Sequence, residues 1–154
     1  MDDLIVTGDL KSCEALRKFM NKCLPTKNLV SLSLLTYYLG CEYNRDHKQG
    51  TLHISQKACI DRLVSKFGVT KTSPTPVLSS VELKPRQRNE PRCTQPYRKA
   101  VGGLLWIGNA TRPDISNAVR EVGRNLHGPR KKHWRAVMKI IEYVRETRTL
   151  GITY

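Results

Sequence analysis

The chain has 154 residues, with 27 Lys and Arg against 13 Asp and Glu, a formal charge of +14, and 39% apolar residues. This length suits one domain or two very small ones, and the apolar share is enough for a modest core, which argues against wholesale disorder. No run reaches the roughly 18–20 apolar residues of a membrane span, and the opening MDDLIVTGD is acidic and then apolar, the reverse of a secretory signal, so a cytoplasmic or nuclear protein without a membrane partner is expected.

Leu4–Thr7 is a short β-prone run ending at Gly8-Asp9. From Ser12 to Cys23, Leu16, Phe19, Met20 and Cys23 recur at helical spacing, with Ser12 or Asp9 as the N-cap and Pro25 as the stop. The aromatic and aliphatic stretch Leu34–Tyr43 reads as a strand, 46–50 as a turn, and Thr51–Ile54 as the returning strand of a hairpin. Ser55 is then expected to cap a helix through Phe67, with the stripe Ile60, Leu63, Val64 and Phe67 and a C-terminal stop at Gly68.

Residues 68–96 hold five of the eight prolines, together with Lys84, Arg86, Arg88 and Arg92. A stretch this long without regular structure predicts a linker or a wrapping loop, and 96/97 is the one plausible domain boundary. The last third is helical. It comprises Tyr97–Ile107, a helix opened by Thr111-Arg112-Pro113-Asp114 and closed by Gly128-Pro129, and a helix over 130–147 with Trp134, Val137, Met138, Ile141 and Val144 on one face. Leu150–Tyr154 reads as a strand. The class is α+β.

Five cysteines at 13, 23, 41, 59 and 93 show no C-x2-C pair, so free thiols in a reducing compartment are expected rather than a zinc site. The charge is uneven. Residues 1–83 carry 11 basic and 8 acidic side chains, whereas 84–148 carry 16 basic and 5 acidic. Such a field attracts polyanions, nucleic acid first, or it simply keeps the chain soluble. Arg130, Lys131, Lys132 and Arg135 cluster on the first turns of the last helix and are the candidate nucleic-acid contacts. Arg112 is expected to pair with Asp114, and Trp134 to pack in the core rather than stack on bases.

Asp2 and Asp3 are adjacent carboxylates before an apolar run. Hard oxygen ligands of this kind suit Mg2+, although adjacent acids at a chain terminus are also ordinary surface charge. The words around them narrow the reading. MDDLIVTGD resembles the x-Asp-Asp motif of copia-type (Ty1/copia) retrotransposon reverse transcriptases. Further matching words follow in order: Tyr37-Tyr38-Leu39-Gly40-Cys41-Glu42, Gly50-Thr51-Leu52-His53-Ile54-Ser55-Gln56, Arg62 to Val69, Thr75-Pro76, Tyr97 to Gly102, Thr111-Arg112-Pro113-Asp114-Ile115, His133-Trp134 and Leu150-Gly151-Ile152-Thr153-Tyr154.

That resemblance implies RNA-directed DNA polymerisation, with deoxynucleotides as substrates of the intact enzyme and Mg2+ as cofactor. Asp2 and Asp3 are then the paired catalytic, metal-binding aspartates of the palm. A third aspartate and the fingers are expected upstream of this chain, and ribonuclease H downstream. The implied layout is the end of a partial palm at 1–67, a basic linker at 68–96, a helical thumb or connection region at 97–149, and at 150–154 the start of a strand leading to ribonuclease H. RNA or RNA–DNA hybrid is the expected partner, held by charge, and the fragment alone is expected to be inactive. A non-catalytic basic nucleic-acid-binding module and an inert gene relic are the alternatives. The apolar stretch Val30–Leu35 departs from the family pattern and is expected to pack differently.

Overall fold

The computed structural model describes residues 4–6, 8–24, 36–77, 83–84 and 90–154. The expectation for Val30–Leu35 lies outside the described residues. The chain divides into two compact units, Met1–Leu39 and Gly40–Tyr154.

In the first unit, Leu4–Val6 form no strand. Helix α1 spans Leu10–Cys23, starting two residues earlier than the apolar stripe suggests, because Asp9 rather than Ser12 is its N-cap. The Asp9 Oδ1 accepts from the Ser12 N–H at 2.9 Å, and hydrogen bonding from the Ser12 side chain and backbone holds the carboxyl below its ordinary pKa. No residue of α1 is buried, and Leu16 and Phe19 of its stripe are exposed. The unit ends in a two-residue strand, β1, at Tyr37–Tyr38.

The single strand expected over Leu34–Tyr43 is therefore interrupted. Leu39 and Gly40 take positive φ angles of 47° and 79°, a turn that only a glycine adopts without steric cost, and a new strand starts at Cys41.

The second unit begins with the predicted hairpin. Strands β2 (Cys41–Asp46) and β3 (Thr51–Ser55) pair antiparallel, with Glu42 opposite Ser55 and Asp46 opposite Thr51. The turn closes because the Asp46 Oδ1 accepts from the N–H groups of Lys48 and Gln49 at 2.8 and 3.1 Å, and Gly50 supplies a φ of 69°. Strand β4 (Gly151–Thr153) adds antiparallel to the other side of β3, with Ile152 opposite Ile54. A Cβ on Gly151 would run into the Ile54 carbonyl, so that pairing needs glycine.

Helix α2 spans Lys57–Lys66, and Ser55 does not cap it. Ser55 is spent as the last residue of β3, and the cap comes from elsewhere: the Glu42 Oε1 accepts from the Ala58 N–H at 2.8 Å. A carboxylate from the hairpin thus meets the positive end of the helix. The C-terminus closes as expected at Gly68, φ 60°. The Gly68 N–H donates to Ser65 O and the Val69 N–H to Val64 O, with Val69 buried beneath, which is the Schellman arrangement.

Helix α3 runs over Tyr97–Ala110. A 3-10 turn at Pro113–Ile115 leads into α4 at Ser116–Gly123, and α5 runs over Lys131–Glu146. Helix α4 stops several residues before the expected Gly128-Pro129. One core joins all four helices: Ile60 and Leu63 from α2, Val101, Leu104 and Ile107 from α3, Val119 and Val122 from α4, and Val137, Ile140, Ile141 and Val144 from α5. Helices α2 and α3 approach closely at Gly103, where an added Cβ would lie 2.8 Å from Leu63 Cδ1.

The two compact units meet between Leu39 and Gly40, and the residues on either side of 96/97 lie in the second. The two buried residues of α2, Ile60 and Leu63, share one core with α3, α4 and α5. The described parts of 68–96 are tied to the same body. Ser73 is buried and bonded to Thr75, Leu83 packs on the core, and the Cys93 N–H donates to Pro129 O at 2.8 Å.

Candidate nucleic-acid interface

The catalytic and metal-binding candidates Asp2 and Asp3 lie outside the described residues. Among the described residues, no three His, Cys, Asp or Glu side chains come together as a metal-ligand set. The five cysteines are free. No helix among the described residues is long and apolar enough to cross a membrane.

The four basic candidates on α5 separate into different environments. Lys131 and Arg135 are exposed and Lys132 is half-buried. Arg130 turns toward Lys84 and Glu90. Its guanidinium pairs with Glu90 and donates to the Lys84 carbonyl, and its Nε is buried with no acceptor. Beside it His133 is fully buried. Its Nδ1 accepts from the Arg130 N–H at 3.0 Å, which leaves Nε2 as the donor to Lys84 O at 3.1 Å. Burial pushes the His133 pKa down, aided by the Arg130 and Lys132 charges and opposed by the Lys84 carbonyl and Glu90. The start of α5 thus combines a buried polar lock with outward-facing cations. No acid sits in that first turn to offset them.

Arg112 pairs with Asp114 as its sequence position suggests, and does more. It is almost fully buried, and besides Asp114 its guanidinium donates to the carbonyl and the hydroxyl of Thr147 at 2.9 and 2.6 Å. Tyr143 donates to the Asp114 Oδ2 at 2.9 Å and lies under the guanidinium. This arrangement ties the start of α4 to the end of α5 and is structural. Trp134 is half-buried, packs on the core and meets Phe67 edge-on at 5.8 Å, as expected of a core residue.

A second basic region had no signal in the periodicity. An open groove of about 370 Å3 lies between the 92–96 loop, the first turn of α3 and the 126–129 loop. Arg92, Arg98, Lys99 and His127 line it, all four exposed, and none of the described lining residues is acidic. The Arg98 Nε donates to the Leu126 carbonyl at 3.2 Å and bridges the groove. Sequence reading also missed the buried Gln56. Its amide donates to Thr111 Oγ1 and accepts from the Trp106 indole at 2.9 Å, joining residues too far apart in the chain for spacing to reveal.

These elements define a mixed α+β fold, a small antiparallel sheet with several packed helices. The chain is distantly homologous to Pol polyproteins of Ty1/copia-type retrotransposons. It is 31% identical over 96% of its length to the retrovirus-related Pol polyprotein from transposon TNT 1-94 of Nicotiana tabacum, and 29% identical over 99% of its length to that from transposon RE2 of Arabidopsis thaliana. It is 26% identical over its whole length to the putative transposon Ty5-1 protein of Saccharomyces cerevisiae. It spans 12%, 10% and 50% of these relatives, respectively. No family model and no solved structure matches the chain.

Proposed function

We propose that this chain is a piece of the RNA-directed DNA polymerase region of a copia-type Pol polyprotein, that it holds RNA or RNA–DNA hybrid by charge, and that it does not polymerise DNA by itself. The observation that carries this reading is the continuity of the similarity, which runs through 96–100% of the chain in the tobacco and yeast relatives. On this reading residues 1–67 are the end of the palm and 97–149 a thumb or connection region, joined by the wrapping loop. Asp2 and Asp3 supply two carboxylates to a nucleotidyl-transfer site for which the family resemblance implies a third. Two-metal phosphoryl chemistry needs both ions fixed a few ångströms apart, which two adjacent carboxylates do not achieve alone. The concentration of cations in 84–148 supports a polyanionic partner.

The test is primer extension on poly(rA)/oligo(dT) with Mg2+ or Mn2+, run beside filter binding of the same hybrid. Binding without extension is expected. Extension that disappears on Asp2→Asn or Asp3→Asn would overturn the claim of inactivity, and a folded chain that binds no nucleic acid at low salt would overturn the claim of binding.

A further inference from the structure

We infer that the groove lined by Arg92, Arg98, Lys99 and His127 is the seat of the nucleic-acid backbone, and that it takes a run of phosphodiesters rather than a free nucleotide. The groove can act in this way only if the chain holds nucleic acid as proposed above, and the experiment below separates the two.

The charge is the first argument. Arg92, Arg98 and Lys99 are basic, His127 adds a ring that can donate to phosphate, and among the described residues no carboxylate lines the groove. The two carboxylates nearest in sequence to these elements are engaged elsewhere, Glu90 with Arg130 and Glu121 with Arg124. The second argument is placement. Arg98 and Lys99 stand in the first turn of α3, which carries no acidic residue and no side-chain cap. Cations are unfavourable at that end of a helix because its exposed N–H groups are already positive. An anion in the groove offsets both costs together, so the arrangement is unfavourable empty and favourable when occupied.

The third argument is shape and continuity. The groove is open, as suits a polymer passing through, not enclosed as a site gripping a whole small molecule would be. Its walls are fixed: Arg98 is bonded to the Leu126 carbonyl, and the Cys93 N–H to Pro129 O. Pro129 is followed directly by Arg130 and the first turn of α5, where Lys131 and Arg135 are exposed. A strand seated in the groove is thus delivered toward the other exposed cations of the unit.

The experiment is fluorescence anisotropy of a short labelled RNA with the full chain across a salt series, using the double variant Arg92→Ala/Lys99→Ala. That variant leaves the Arg98–Leu126 bond intact, and circular dichroism establishes that it is folded. Loss of two phosphate contacts should weaken binding by more than about tenfold near 0.1 M salt and reduce the log–log salt slope by about 1.4. If the folded double variant binds RNA like the parent chain, the groove assignment is wrong while the nucleic-acid reading stands. If the parent chain binds no RNA, both fall. Pyrophosphate or polyglutamate displacing the RNA at equal charge concentration would overturn the preference for a phosphodiester chain.

Discussion

Asp114 accepts two parallel hydrogen bonds from Arg112, Nε to Oδ1 at 2.9 Å and Nη2 to Oδ2 at 2.8 Å. Burial alone would raise the Asp114 pKa, but the bonds from Arg112 and Tyr143 outweigh it and hold the carboxyl below its ordinary value. Replacing Arg112 by Ala leaves Asp114 with only the Tyr143 hydroxyl and the Thr147 carbonyl without its side-chain donor, and should cost about 3 kcal/mol in urea unfolding. Lys should not restore it, because a single ammonium cannot reproduce the fork. Since the folded pKa of Asp114 is depressed, its contribution is present above the ordinary carboxylate range and is lost as pH falls through the lower folded value. Asp114→Asn should remove that acid-side loss.

His133 gives a second pH dependence with the opposite charge change. Its folded pKa is lowered, so below its ordinary value the unfolded chain binds a proton that the folded chain refuses. Stability should be full near neutrality and fall as pH drops from there toward the folded pKa. Protonation puts a hydrogen on Nδ1 against the Arg130 N–H, and Glu90, Arg130 and Lys132 are the charged groups around it. The measurement is the urea midpoint between neutral pH and about pH 5. His133→Asn should flatten this window, and an unchanged pH profile in the variant would refute the account.

Neighbouring glycines of α3 should respond in opposite directions. Gly103→Ala drives a methyl group into Leu63 and should cost about 1–3 kcal/mol, because the helix approach has to widen. A Cβ at Gly102 meets nothing within 4 Å, so Gly102→Ala should stabilise by about 0.5–1 kcal/mol. Thermal or urea unfolding of the two variants reads both.

The basic residues of α5 should also divide. Lys131→Ala and Arg135→Ala should reduce the salt slope of RNA binding by about 0.7 each with little change in unfolding. Arg130→Ala should destabilise by about 1–2 kcal/mol, because it removes the ion pair to Glu90 and one of the two donors to the Lys84 carbonyl. Equal stability of all three variants would contradict the inward placement of Arg130.

What depends on neighbours along the chain could be read from the residues alone. The Asp46–Gly50 turn, the stop at Gly68, the apolar faces of α2 and α5, and the Arg112–Asp114 pair two residues apart were all legible from spacing and side-chain type. The order of short words from Asp2-Asp3 to Tyr154 likewise carried the resemblance to copia-type polyproteins. Tertiary structure decided what depends on residues brought together from afar. Glu42 took over the cap of α2 that Ser55 was expected to supply, Arg130 was drawn from the basic cluster to Glu90 across 40 residues, and Gln56 met Thr111 across 55. The groove exists because Cys93 bonds Pro129 and Arg98 bonds Leu126. Local spacing fixes a helix face or a turn, whereas which cation stays free and which is drawn inward is set by the acceptors that folding places beside it.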